Sequence, residues 1–552
     1  MTPRTGPPAA CPTVSAFVPH HAPMPPPHVH RRAVGVCEHA VMTVETPRDE
    51  RPFAVVDIGS NSGRMIVFRA REGEHLDVLE DARAPLRLAR ELRDDDRLGE
   101  EAIERTLEAL RDFKAVAEGA GAERIIAVAT SAVREAADGQ RLIDRAAQLG
   151  VPLRVIDGAT EARLGFTGAV HDLPVRSGVS MDVGGGSVEL TRFADRRLEG
   201  TWTLPIGSLR VSDRFLEKDP PTDRELQKLR KHVASALDEA GVGELAKHED
   251  LVGIGGTVRN LAKMDLRRTD HPLPVLHAYE LTERHLDAII GDLTERTMKR
   301  RAQISGLNPD RADTIVGGAL VVRGVMQHLG ARQLIVSSRG LREGLALDAA
   351  GDDIPPAAWV RTISVATLAA RFATWDPVAA DRRTEVALRL HETLDPEARL
   401  SIREMLEHCA TLLDVGRAID YYERFEHAAM IATAADLAGF THAKLGIVAA
   451  ILRQADDDTR LGGYARLIDD ADRAAIERAS TTLALADELN RRIAPSSPAR
   501  IAASWTAEGF EVEAPVPPGW RPRGVAQRFA RVFGRPLLVT ASAPAPHPVS
   551  GR

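Results

Sequence analysis

Residues 180–191 read S-M-D-V-G-G-G-S-V-E-L-T, a combination of residue types suited to holding phosphate. Gly184, Gly185 and Gly186 follow Asp182, and Ser187 and Glu189 come next. Glycine tolerates positive φ and lets backbone approach a ligand, so a glycine row can offer a concave set of N–H donors to an anion. A dinucleotide fingerprint or a P-loop runs directly into a helix. Residues 188–193 instead alternate like a strand, so the stretch is predicted to be a hairpin with a carboxylate on each side of its glycine tip. For this stretch alone, an ordinary tight hairpin would be the minority reading. Residues 55–68, V-V-D-I-G-S-N-S-G-R-M-I-V-F, repeat its layout, with Asp57, Gly59 and Ser62 falling on Asp182, Gly184 and Ser187. Such self-similarity points to an internal duplication. The expected arrangement is two similar lobes facing one cleft, one offering Gly59, Ser60, Asn61 and Ser62, the other Gly184 to Ser187.

Further groups with chemical capacity lie along the same region. Glu161 opens a predicted helix, where a carboxylate suits the helix dipole or, beside a cleft, can orient or deprotonate a water. Residues 251–264, L-V-G-I-G-G-T-V-R-N-L-A-K-M, place Gly255, Gly256 and Thr257 at a helix start whose amides can receive an anion. Residues 334–344 read as strand, turn and helix start. Arg342 and Glu343 are expected there in structural pairs, with phosphate contact by Arg339 or Arg342 the minority reading. L-P-I-G-S-L-R puts Gly207 and Arg210 on a turn.

These residues need elements to hold them. Helical periodicity over 100–118, a buried strand at 124–128, strand L-R-V-I and a charged helical region over 223–248 alternate with the hairpins, the pattern of α/β lobes. The chain has 552 residues, 44% hydrophobic and 27% charged, with a formal net charge of -7. That is a globular composition without the basic field that nucleic acid or an anionic membrane would need, so neither partner is expected. Any polyanion must be met by a local basic strip, for which Lys228, Lys231, Lys299, Arg300 and Arg301 are candidates, although solvated helix faces are the plainer reading. Cys11, Cys37 and Cys409 have no metal-type spacing and fit a reducing compartment, and no apolar run reaches the ~20 residues needed to span a bilayer. Residues 1–50, rich in Pro and His, are expected to be a disordered tail, with His20, His21, His28 and His30 solvated and Met42 an alternative start. Residues 542–552 are expected to be a second tail.

Taken in order, D-I-G-S-N-S, A-T-S-A-V-R, G-x-x-E-A-R, D-V-G-G-G-S-V-E-L, G-I-G-G-T and S-x-x-G-L-R-E-G resemble the exopolyphosphatase/guanosine pentaphosphate phosphohydrolase family, within the actin/Hsp70/sugar-kinase superfamily. The resemblance implies an α/β fold of two ribonuclease-H-like lobes (52–160 and 161–349), then an all-α HD-like domain (350–495) and a small α+β module (496–541). It implies Mg²⁺-dependent removal of the terminal phosphate, with Mn²⁺ as an alternative metal. By position, Glu161 matches the catalytic carboxylate, Asp182 and Glu189 match the metal and phosphate site, and Arg134 of A-T-S-A-V-R joins the phosphate-binding set. Asp57 is a third metal candidate from across the cleft. One departure is Thr160, where the family commonly has a first glutamate.

The C-terminal third is helical in pattern. The stretch beginning L-L-D-V-G-R resembles the HD-hydrolase-like domain of long family members, but Leu413 occupies the histidine position before Asp414. Leucine cannot ligate a metal, so His427 and Asp436 are not expected to form a second hydrolase centre, and the domain is read as lengthening the substrate path and supplying a dimer contact. The leading reading is a cytoplasmic, homodimeric exopolyphosphatase acting on polyphosphate. The alternative is a pppGpp 5′-phosphohydrolase of the stringent response. A superfamily ATPase or kinase, or a non-catalytic alarmone sensor, ranks lower, because the acidic residues and the phosphatase-type motifs are retained.

Overall fold

The computed structural model describes residues 51–71, 75–92, 96–351, 354–456, 461–494 and 500–542. The tail read at 1–50, with Cys11 and Cys37, and most of the tail read at 542–552 lie outside these residues. Strands β1 (Phe53–Ile58), β2 (Ser62–Arg71), β3 (His75–Pro85), β4 (Arg124–Ala129) and β5 (Leu153–Val155) form a sheet in the order β3-β2-β1-β4-β5. A second sheet contains β6 (Gly178–Val183), β7 (Val188–Ala194), β8 (Arg197–Leu204), β9 (Asp250–Ile254), β10 (Tyr279–Thr282) and β11 (Gln333–Val336), in the order β10-β11-β9-β6-β7-β8.

The two sheets share one plan. Each has an antiparallel three-strand meander whose first strand pairs in parallel with the next strand of the sheet. Even the irregularities recur, since a register shift falls between Val67 and Phe68 in one meander and between Arg192 and Phe193, the equivalent residues, in the other. β10 is an added edge strand on the second sheet. The duplication expected from the two hairpins therefore extends through whole lobes.

The leading strands read as apolar runs because both of their faces are covered. In β1, Ala54, Val56 and Ile58 join Ile103, Leu107, Leu110 and Phe113 of the helix Gly99–Gly119 in one core, while Phe53 and Val55 join a second core with Leu164 and Leu345. Asp57 has the parity of Phe53 and Val55, which puts a carboxylate at the end of a buried face.

That second core shows how the lobes are joined. Leu164 belongs to the helix Gly158–His171 and Leu345 to the helix Leu341–Ala350, and the two helices cross. A Cβ on Gly344 would lie 1.9 Å from the Leu164 carbonyl oxygen, and one on Gly168 would lie 2.1 Å from that of Gly340. The last helix of the stretch read as the second lobe thus packs its apolar face on the first sheet, beyond what a cut at residue 160 would separate.

Two smaller readings change. The charged region predicted over 223–248 is a helix only over Asp223–Ala240, started by a Thr222/Glu225 capping box and stopped by Gly241 at φ 67. Arg210 lies in the helix Ser208–Phe215, with Gly207 at its N-cap, not on an open turn.

The C-terminal region contains the helices Ala357–Ala370, Pro377–Leu394, Leu400–Leu412, Arg424–Ala434, His442–Ala455 and Arg473–Asn490. Strands β12 (Ala502–Trp505), β13 (Phe510–Ala514) and β14 (Leu537–Ala541), with the helix Arg523–Phe533, follow. The helices and this α+β segment share one core, with Phe510, Val512 and Phe529 packed among residues such as Leu406, Val448 and Leu485. Asp414 and Asp487 are buried there against guanidinium groups. Arg383 Nη1 lies 2.8 Å from Asp414 Oδ2 and 3.5 Å from Asp487 Oδ1, and Arg424 Nη2 lies 2.6 Å from Asp487 Oδ2. Asp436 instead faces Ser338 and Arg339. The positive charge beside Asp414 is supplied by arginine.

Candidate active site

The two hairpin tips are built alike and meet. Gly59 N–H donates to the Ser62 carbonyl at 3.1 Å, and Gly184 N–H to that of Ser187 at 3.0 Å. The Asn61 carbonyl accepts from Leu86 and Arg87, and the Ser60 carbonyl from Ala89. The carbonyls of Gly184, Gly185 and Gly186 accept from the amides of Gly207, Ser208, Leu209 and Arg210 at the start of the next helix. In a planar trans peptide the N–H points opposite to the carbonyl it adjoins. Carbonyls committed to the segments behind therefore aim the following N–H groups, those of Asn61, Ser62, Gly185, Gly186 and Ser187, at the space between the lobes.

The glycines serve this approach through closeness, not through positive φ, which none of Gly59, Gly184, Gly185 and Gly186 adopts. A Cβ on Gly185 would stand 3.3 Å from that of Ser60, and one on Gly186 would stand 3.1 Å from Ser131 Oγ. Gly255 is the exception. Its φ is +86, and a Cβ there would lie 2.3 Å from Asp182 Oδ1. Within the first lobe, Ser60 Oγ and Ser131 Oγ, which face Gly185 and Gly186, are hydrogen-bonded to each other at 2.7 Å.

Between the tips lies a cleft of about 130 Å³, lined by Asp57, Glu161, Asp182, Glu189 and Glu343, by the glycine turns, and by Arg64, Arg259, Arg311 and Arg342. Strand register explains the carboxylates. Asp182 stands directly opposite Glu189 in β6–β7, and Asp57 opposite Arg64 in β1–β2. Like charges so placed repel. Burial and then Asp182 push Glu189 up to about 8, although its Oε1 accepts a 2.5 Å hydrogen bond from Ser187 Oγ. Burial raises Asp57 to about 6, opposed by Arg342 and Arg64. Burial, Glu189 and Asp57 raise Glu161 well above the carboxylate range, and burial raises Asp182 despite Arg259 and Arg311. The arginines are strained in the opposite sense, since burial and then neighbouring guanidinium groups pull Arg64 down to about 9 and Arg311 to about 10.

Glu161 owes its position to a capped helix. Asp157 is the N-cap, its side chain accepting from Thr160 N–H at 2.7 Å, so the residue that departs from the family pattern completes the cap. Arg134 does not line the cleft. Its Nη1 donates to the Ile156 carbonyl at 2.6 Å and to Glu161 Oε2 at 3.3 Å, so it orients the carboxylate from behind. Thr257 is also outside, buried against Gly318, because the first turn of its helix points it into the lobe core. Every other residue assigned above to phosphate, metal or catalysis lines the cleft.

The basic strip differs from the one expected. Lys228, Lys231, Lys299 and Arg300 are exposed elsewhere, and Arg301 is buried in an ion pair with Asp219. Arg339 pairs with Asp172 outside the cleft, whereas Arg342 lines it. The internal repeat held the signal for two of the arginines that were missed. Arg64 aligns with Glu189 in the paired hairpins, and A-T-S-A-V-R aligned under I-G-G-T-V-R places Arg259 on Arg134.

The carboxylates suit a hard cation. Asp57 Oδ1 is buried without a hydrogen-bond partner, and the upward shifts of Asp57, Glu161, Asp182 and Glu189 would be relieved by added positive charge. Among the described residues no three His, Cys, Asp or Glu side chains are close enough to chelate an ion by themselves. Mg²⁺ needs only one or two carboxylates when water and substrate phosphate complete its shell, and the residues fit that case.

Comparison with known proteins places these features in context. Residues 66–352 match the Ppx/GppA phosphatase family, and residues 360–521 match its domain III. The chain is 30% identical to exopolyphosphatase 1 of Mycobacterium leprae over 315 residues, 56% of this chain and 93% of that protein. It is 32% identical to exopolyphosphatase 2 of Mycobacterium tuberculosis over 314 residues, 54% and 98% of the two chains. The crystal structure of an exopolyphosphatase from Cytophaga hutchinsonii is similar with a TM-score of 0.51 at 25% identity, covering 55% of this chain and 99% of that one.

Proposed function

This chain belongs to the Ppx/GppA phosphatase family, and we propose from that premise that it is an exopolyphosphatase, releasing orthophosphate from the end of inorganic polyphosphate. The observation that carries the reading is Glu161, held by Arg134 and facing a cleft bounded by two glycine tips and four arginines. A phosphoanhydride end carries crowded negative charge, and its hydrolysis depends on neutralisation, alignment and an oriented water. The tip amides and the guanidinium groups of Arg64, Arg259, Arg311 and Arg342 bind the phosphate oxygens. Glu161 takes a proton from a water as its oxygen attacks the terminal phosphorus. The anhydride P–O bond breaks opposite, and the shortened chain leaves with the electron pair. A carboxyl raised above its ordinary range is the better base near neutral pH. Arg134 is a positioning residue that keeps Glu161 aimed.

Phosphatases of this family are generally divalent-metal dependent. Mg²⁺, or Mn²⁺ in its place, would be held by Asp182 with Asp57 and Glu189 in support, and would neutralise the phosphate charge. We also assign the protein to the cytoplasm as a homodimer. No helix among the described residues is long and apolar enough to cross a membrane, and light scattering tests the dimer.

The test is phosphate release by the purified protein with Mg²⁺ and, separately, long-chain polyphosphate, pppGpp and ATP. Release from polyphosphate is expected. Release from none would overturn the enzymatic reading, and release from pppGpp alone would replace the substrate.

A further inference from the structure

Along one rim of the cleft the two lobes are tied by ion pairs. Arg90 Nη2 lies 2.5 Å from Asp313 Oδ2, Arg87 Nη1 lies 3.6 Å from the same oxygen, and Arg83 Nη2 lies 3.5 Å from Asp310 Oδ2. The arginines all come from the first lobe and the aspartates from the second. Three guanidinium groups thus share two carboxylates.

The pairs are incompletely made. Arg90 Nε and Asp313 Oδ1 are both buried without a hydrogen-bond partner. A guanidinium fork is best satisfied by two oxygens at once, and here Arg90 bonds Asp313 through one nitrogen. Arg83 stands directly opposite Arg64 in β2–β3, where like charges cost stability. A rim that served only to join the lobes would be better built with balanced, two-point pairs.

Both halves of the rim hang on the phosphate turns. On one side, the Leu86 and Arg87 amides bond the Asn61 carbonyl and the Ala89 amide bonds that of Ser60. Arg87 holds a left-handed φ of 55, a conformation that costs a non-glycine residue energy. On the other side, Asp310 sits in the turn Pro309–Arg311, whose neighbour Asn308 donates its N–H to Asn260 Oδ1, while Asn260 Nδ2 donates to the Gly256 carbonyl. Arg311 of the same turn lines the cleft. Positive charge therefore continues from Arg311 and Arg64 through Arg83 to Arg87 and Arg90.

We propose that a linear polyphosphate chain leaves the cleft over this rim, its distal phosphates displacing Asp310 and Asp313 as the counter-ions of Arg83, Arg87 and Arg90. The inference rests on the phosphoanhydride reading above and extends it to the part of the chain remote from the scissile bond. A short substrate ends inside the cleft and leaves the rim pairs in place.

The experiment compares kcat and KM for tripolyphosphate and for long-chain polyphosphate, at fixed ionic strength, in wild type, Asp313→Asn and the double variant Arg87→Gln/Arg90→Gln. Counter-ion exchange gives the two variants opposite signs. Asp313→Asn frees both arginines and lowers KM for long chains about threefold, whereas the double variant raises the ratio of long-chain KM to tripolyphosphate KM about tenfold. If the pairs only hold the lobes together, both variants break the same contacts and move KM for both substrates in one direction, which would overturn the inference. Should the double variant not fold, Asp313→Asn decides by its sign. A wild type that releases phosphate from neither substrate is a different result, and would overturn the phosphoanhydride reading itself.

Discussion

Asp182 and Glu189 face each other one residue pair back from the tip of the second hairpin, and much of the site's electrostatics follows from that register. A Glu189 carboxyl that ionises near 4.5 in the unfolded chain but near 8 in the folded one adds stability below the first value. That contribution is lost as pH rises through the second. In the metal-free protein, Glu189→Gln is thus expected to raise Tm relative to wild type, by a margin that grows between about pH 4.5 and pH 8. Thermal melts in a chelator check this, and a margin independent of pH would contradict it. Gly256 offers a second test at this scale. A Cβ there would lie 2.1 Å from Arg311 Nη2, so Gly256→Ala must move a guanidinium that lines the cleft. KM is expected to rise about tenfold or more, the scale of one charge-assisted contact, and unaltered kinetics would show that Arg311 does not touch substrate.

The two lobes are held by helices that cross with backbone almost in contact. Gly344→Ala forces a methyl group into the Leu164 carbonyl, and overpacking of this kind costs about 1–3 kcal/mol or more. Chemical denaturation should show that loss, with the midpoint lowered and the slope kept. The hairpins were readable in the sequence because a period of two around a glycine tip admits few alternatives. The internal repeat carries further than the hairpins. Aligned by it, Arg64 falls on Glu189 and Arg259 on Arg134, and Glu343, like Glu161, sits in the first turn of the helix that follows its sheet's parallel strand. Arg311 lay beyond such reasoning, because it comes from a short turn with no periodicity and acts only through tertiary placement. The explanation of the glycines changed as well, since the tips need them for the approach of Ser60 and Ser131, not for φ. Strands β10 and β14 were missed because a few apolar residues at a sheet edge give no pattern, and a single strand rule cannot place the returning helix Leu341–Ala350.

Across the whole molecule, the catalytic lobes carry a helical domain whose buried charges are satisfied by arginine. Removing one partner of such a pair strands the other, at a cost of about 3–5 kcal/mol. Asp414→Asn, next to Arg383, is expected to lose that much stability while keeping kcat, because it touches nothing in the cleft. Loss of phosphate release from a variant that remains folded would give this domain a chemical role. The proposed chemistry rests on a cleft carboxylate, raised by burial and by its neighbours, that activates water against a phosphate held by amides and arginines. The most direct measurement is orthophosphate release from long-chain polyphosphate by wild type and by Glu161→Gln, with equal Mg²⁺ and folding verified by circular dichroism. The expected result is a fall in kcat of about 10²–10⁴-fold with KM little changed. Release by Glu161→Gln at the wild-type rate would contradict it.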